Sequence, residues 1–152
     1  MLFINPLTLL PMEKFIKLFI SGTGQDVGYK LIPVNGIMEI KQESTTKVNI
    51  FYNELSSAQA AGSINYGADA SQTVPAVTNV VQSFEITHDA IAANTSSWKD
   101  FLNEAVETSL TLSWQQPVHT PLGYPKSAAS GNPPSTITGI VSGVKAAGLQ
   151  TT

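Results

Sequence analysis

Hydrophobic and polar positions alternate through most of the first half of the chain. Phe15–Ile20 (FIKLFI) sets Ile16, Leu18 and Ile20 on one face, the two-residue period of a strand. A glycine-rich stretch (SGTGQDVG) follows, then YKLIPV over 29–34 and the pair Asn35-Gly36, a tight-turn signal. Residues 37–43 (IMEIKQE) alternate again, with Met38 and Ile40 opposite Glu39 and Lys41. After a turn at 44–46, KVNIFY places Val48, Ile50 and Tyr52 in phase. This pattern predicts a meander of three or four short antiparallel strands with one wet face.

The alternation is lost over 54–76, where Ala, Ser, Gly and Asn dominate. A stretch of that length predicts a loop excursion, of the kind that contacts a partner. Val77–His88 (VTNVVQSFEITH) returns to strand chemistry. From Trp98 the period changes: Trp98, Phe101, Leu102, Ala105, Val106 and Leu110 form the i, i+3, i+4 stripe of a helix. Ser97 with Asp100 resembles a capping box. The spacing predicts a helix over about 97–108, then a strand at 110–114 (LTLSW). Residues 119–134 are rich in proline and predict loop, and 136–144 (TITGIVSGV) a last strand that Gly139 and Gly143 weaken.

The expected fold class is α+β, mainly β. It is an antiparallel sheet, or a small sandwich or barrel, of about six to eight short strands with one amphipathic helix packed on it. Its expected organisation is an extended N-terminal arm at 1–12, a β-rich core at 13–118 and a Pro/Gly-rich C-terminal segment at 119–152. The opening run 1–11 (MLFINPLTLLP) is apolar, but it has no basic start and is interrupted by Pro6 and Pro11. It therefore reads as an arm or leader rather than a signal peptide, and it is too short to span a bilayer. As an arm it offers Leu2, Phe3, Ile4, Leu9 and Leu10 to a neighbouring subunit, since such a surface left bare invites aggregation.

Composition narrows the function. A chain of 152 residues forms one domain. It has no cysteine, which excludes disulfides, cysteine-based zinc sites and thiol chemistry. All eight basic residues are lysines, set singly along the chain, and the net charge is −3. That distribution argues against nucleic-acid binding, which needs clustered positive charge. Ser, Thr, Asn and Gln make up 47 of the 152 residues. Hydroxyls and amides lose their water at lower cost than ions, so a surface built from them suits burial against neighbours.

The candidate chemical motifs are weak. Gly22, Gly24 and Gly28 do not keep the G-x-G-x-x-G spacing, and strand rather than helix follows. His88 beside Asp89 could begin a metal site or an oriented base. With two histidines, no cysteine and no H-x-x-x-H spacing, a strand-end structural role is the expectation. Glu39/Glu43 and Glu104/Glu107 sit on faces expected to be wet, and no G-x-S-x-G elbow supplies a nucleophile. Trp98 reads as core, while Tyr66 and Tyr124 lie in predicted loops as candidate interface anchors. No catalytic residue, cofactor or metal is expected.

The order EKFIKLFISG, LIPVNGI, STTKVNIFY and FEITH, followed by one Trp-containing helix, covers residues 13–53 and 77–118. In this the chain resembles the small, cysteine-free, β-rich virion structural proteins of tailed phages infecting cyanobacteria and marine bacteria. The resemblance implies a non-enzymatic component of a particle, repeated as a homo-oligomer (dimer or trimer) and contacting a major capsid or other virion protein. Capsid decoration or cementing is the leading expectation, with a tail-tube or fibre-associated subunit as the alternative. From another class, a carbohydrate-binding module would use Trp114, Tyr124 and nearby amides.

Overall fold

The computed structural model describes residues 13–22, 26–59 and 77–146. It is mainly β, with seven strands and one helix in the order β1 (Phe15–Ile20), β2 (Gly28–Pro33), β3 (Ile37–Ser44), β4 (Lys47–Gln59), β5 (Val77–His88), α1 (Ser97–Thr111), β6 (Val118–His119) and β7 (Ile137–Ala146). The strand order is β2-β1-β7-β5-β4-β3, with β6 also on β1.

In β1 and β4 local alternation placed the inward faces correctly. Ile16 and Leu18 are fully buried, as are Val48 and Ile50, with Tyr52 close behind. These meet Ile32, Ile86, Ile137 and Ile140 in one cluster that the helix enters through Trp98, Leu102 and Ala105. Each fully buried branched or aromatic side chain contributes on the order of 1.5–3 kcal/mol of transfer free energy.

The path of the chain through the sheet departs from a meander. β2 and β3 follow one another yet do not pair; they are the two outer strands. β7 inserts between β1 and β5, meeting β1 in parallel at Ile20 and Ile137, and the short β6 is also parallel to β1. The sheet is therefore mixed and open. Its β1–β2 ribbon turns at that corner and folds back across the rest: the Tyr52 hydroxyl of β4 donates to the Pro33 carbonyl at 2.6 Å. Burial drives the turn, because Ile16, Leu18 and Ile32 have no other apolar surface to cover. The C-terminal segment thus supplies an interior strand of the sheet.

Two further expectations are corrected. The helix runs to Thr111, so Leu110 and Thr111 complete its last turn and no strand forms at 110–114. The Lys14 ammonium, distant in sequence, donates to the carbonyls of Ser109, at 2.7 Å, and Leu112. It satisfies C-terminal carbonyls that the helix leaves open, where positive charge is also favoured. The helix starts at Ser97 as expected, but the capping residue is Ser96 instead of Ser97, and Ser96 Oγ donates to Asp100 Oδ2 at 3.2 Å.

The excursion at 54–76 also contains strand. Residues 54–59 continue β4 and pair with β5 from Leu55↔Val81 to Gln59↔Val77. Ladder hydrogen bonds use backbone alone, so a run poor in apolar side chains still pairs when its partner is held beside it. Finally, a bulge between Ile37 and Glu39 turns Met38 outward while Ile40 stays buried.

Candidate functional site

Of the residues expected to make contacts, Leu2, Phe3, Ile4, Leu9, Leu10 and Tyr66 lie outside the described residues. Tyr124 is described, and the structure builds it into the body. Its ring packs on Trp98 and Phe101, with centroids 5.3 Å from each. Its hydroxyl accepts from the Phe19 amide at 3.1 Å, occupying a backbone donor on the β1 edge that β6 and β7 share. Burial pushes its phenol pKa up. Trp114 is exposed, so the two do not make an open stacking platform of matched rings.

The histidine motif resolves into a structural node. His88 is buried and stacks on Trp98, with centroids 5.0 Å apart and planes at 24°. Its Nδ1 lies 2.8 Å from the Asp89 carbonyl oxygen, which can only accept, so Nδ1 carries the proton. Nε2 then accepts from the Gln42 amide at 3.1 Å. Trp98 Nε1 donates to Ser135 Oγ, and Ser135 donates to the same Asp89 carbonyl. Ser135 and His88 thus share an acceptor rather than each other, which is not a nucleophile–base arrangement. Burial pulls the His88 pKa below its ordinary value. Asp89 is held below its usual range by hydrogen bonds from Thr136, whose hydroxyl and amide donate at 2.7 and 2.9 Å. Among the described residues no group of three or more His, Asp or Glu could hold a metal.

A second polar cluster lies on the far face of β3, β4, β5 and β7. Lys145 bridges Glu43 and Glu85 at 3.1 and 2.9 Å, and Lys47 meets Glu85 at 2.9 Å. Hydrogen bonds from Lys145 hold both carboxylates below their usual pKa. The side chains are between a quarter and a half exposed, so each pair contributes under about 1 kcal/mol. Beneath them Asn49 donates to Glu43 and leaves its buried Oδ1 without a partner among the described residues.

The surface that stands out is the outward face of the β1–β2 ribbon. Register pairs Phe19 with Tyr29 and Lys17 with Leu31 on that face. Phe19, Tyr29 and Leu31 are 40%, 63% and 47% exposed. The two rings meet edge to face at 5.1 Å, and the Lys17 ammonium sits 4.3 Å from the centre of the Tyr29 ring. The side chains are thereby ordered before any partner arrives, which lowers the entropy cost of covering them. Beside them the outer edge of β2 pairs with no strand among the described residues, leaving backbone donors and acceptors open to a further strand. Sequence reading took only the inward face of FIKLFI. The signal for the outward one was present: five of its six residues are apolar, more than a strand with one wet face needs.

No protein-family model, curated protein or solved structure matches the chain.

Proposed function

We propose that this protein is a non-enzymatic assembly subunit that works by packing against copies of itself. The carrying observation is the ordered apolar face of Phe19, Tyr29 and Leu31 beside the open edge of β2. An exposed aromatic and aliphatic row on a rigid ribbon is a surface that a neighbour covers, with area from the side chains and register from the backbone edge. Many weak contacts of this kind add up on a lattice. With the strand-text resemblance, this supports a virion role of the capsid decoration or cement type.

The native mass of the full chain tests the assembly reading. A discrete oligomer is expected, and a Tyr29→Lys/Leu31→Lys variant should run at monomer mass with an unchanged far-ultraviolet circular dichroism spectrum. A clean monomer for the unmodified chain at high concentration overturns the proposal. Sedimentation with tailed-phage capsids stripped of their decoration protein tests the virion role: binding at a fixed ratio per capsomer is expected.

A further inference from the structure

The first backbone N–H groups of a helix need acceptors from outside it. Ser96, at the N-cap of α1, makes no side-chain cap hydrogen bond to them; its hydroxyl donates to Asp100 Oδ2 instead. An acceptor arrives from another element. Gln42, on β3, offers Oε1 to the Lys99 amide at 3.2 Å.

A carboxamide accepts at oxygen and donates at nitrogen, so the way Gln42 is turned decides whether it caps the helix. Three acceptors set that orientation. Gln42 Nε2 lies 2.7 Å from the Ser44 carbonyl oxygen, 3.1 Å from that of Lys47 and 3.1 Å from His88 Nε2. Only the last can change its role. His88 Nδ1 already carries a proton, held on the Asp89 carbonyl oxygen at 2.8 Å, so a second proton goes to Nε2 and makes it a donor. Imidazolium N–H then faces amide N–H. Half a turn of the amide gives His88 an acceptor, but it sets Oε1 against the Ser44 and Lys47 carbonyls and the NH2 group against the Lys99 N–H. Neither orientation serves the imidazolium and the helix together.

The surroundings of the ring offer no substitute. His88 is buried and Trp98 is stacked on it. The Asp89 carboxylate favours the charged ring, yet it accepts two hydrogen bonds from Thr136. On α1, Lys99 and Asp100 follow Trp98 with opposite charges, and the positive end of the helix dipole opposes an imidazolium. On β3 and β4, Glu43 and Lys47 are engaged on the far face with Lys145 and Glu85, and Lys41 pairs in register with Asn49 of that face. β7 meets His88 with Ile137. The other end of α1 is fastened independently, by the Lys14 ammonium on the Ser109 and Leu112 carbonyls.

We propose that Gln42 is a proton-operated latch: when His88 Nε2 takes up a proton, the amide turns away from Lys99 and the start of α1 is released from β3. The C-terminal end of the helix stays in place as the fixed point.

Nuclear magnetic resonance of the full chain from about pH 7.5 to about pH 4.5, which spans histidine titration, tests the latch. Ring shifts of His88 report its protonation. Exchange of the Lys99 amide, corrected for the intrinsic effect of pH, reports the cap. The expected result is a loss of Lys99 protection by about tenfold, with the midpoint of the His88 titration. The Leu112 amide, which donates to the Thr108 and Ser109 carbonyls, should keep its protection. A Gln42→Met variant lacks both polar ends of the amide, and its Lys99 amide should exchange at the faster rate throughout. Lys99 protection that is unchanged, or that falls with a different midpoint from His88, overturns the proposal. So does a His88 that stays neutral to the end of the range, or a Gln42→Met chain whose Lys99 protection still follows pH. Joint loss of Lys99 and Leu112 protection also overturns it, because the whole helix is then unfolding. Each readout belongs to one amide or ring whatever the native mass, so this inference and the assembly proposal fail independently.

Discussion

At the scale of single residues, the burial of His88 has a pH consequence. Its ring is wedged between Trp98 and the Gln42 amide with Nε2 as acceptor, so a proton on Nε2 would face a donor in a dry site. The folded-state pKa lies below the ordinary value of about 6.5. The unfolded chain therefore binds a proton that the folded one refuses, and stability present above about pH 6.5 is lost as pH falls towards the folded pKa. Urea midpoints from pH 8 to 5 should decline below about 6.5, and a His88→Gln variant should lack that decline. A further fall belongs below about pH 4.5, where Glu43, Glu85 and Asp89, all held low in the folded state, must take up protons. Trp98 was legible as core because its helical spacing is local. That His88 would stack on it depended on how the strand end and the helix come together, and that Ser135 would receive its N–H depended on a segment 37 residues away.

Elements add their own tests. Lys14→Met removes the donor to the Ser109 and Leu112 carbonyls while keeping the apolar stem. It should lower stability by about 1–2 kcal/mol, read from the urea midpoint, with faster amide exchange confined to the last turn of α1. Two glycines should respond in opposite directions. Gly36, at φ +83°, makes the turn between β2 and β3, and a Cβ there would sit 3.2 Å from Asn53 Oδ1. Gly36→Ala should cost about 1 kcal/mol or more. Gly139, within β7, has open space where its Cβ would be. Gly139→Ala should raise stability by about 0.5–1 kcal/mol, seen as a higher melting temperature. Strands β1, β4 and β5 and most of α1 were legible because a two- or 3.6-residue period is a local property. The last helical turn and residues 54–59 were not. One depends on a lysine some 95 residues away in sequence and the other on a partner strand across a hairpin.

The whole molecule is organised around a ribbon with apolar side chains on both faces. The inward face fills the core through Ile16, Leu18 and Ile32; the outward face, Phe19, Tyr29 and Leu31, stays exposed. If that face assembles the protein, the native mass should shift towards monomer on dilution. It should be nearly indifferent to salt, because the contact is apolar and the charge beside it, Lys17, sits over the Tyr29 ring. A mass that falls steeply with salt would place the interface elsewhere. Sequence alone determined that the chain is mainly β with one helix, which faces of β1 and β4 turn inward, and that Trp98 belongs to the core. These follow from the spacing of apolar residues over a few positions. Only the tertiary structure decided that β2 and β3 part company, that β7 enters the middle of the sheet and that Tyr124 is spent internally. Alternation states which way a side chain points but not which strand lies beside it; that choice is made by how the whole set of apolar faces can be buried at once.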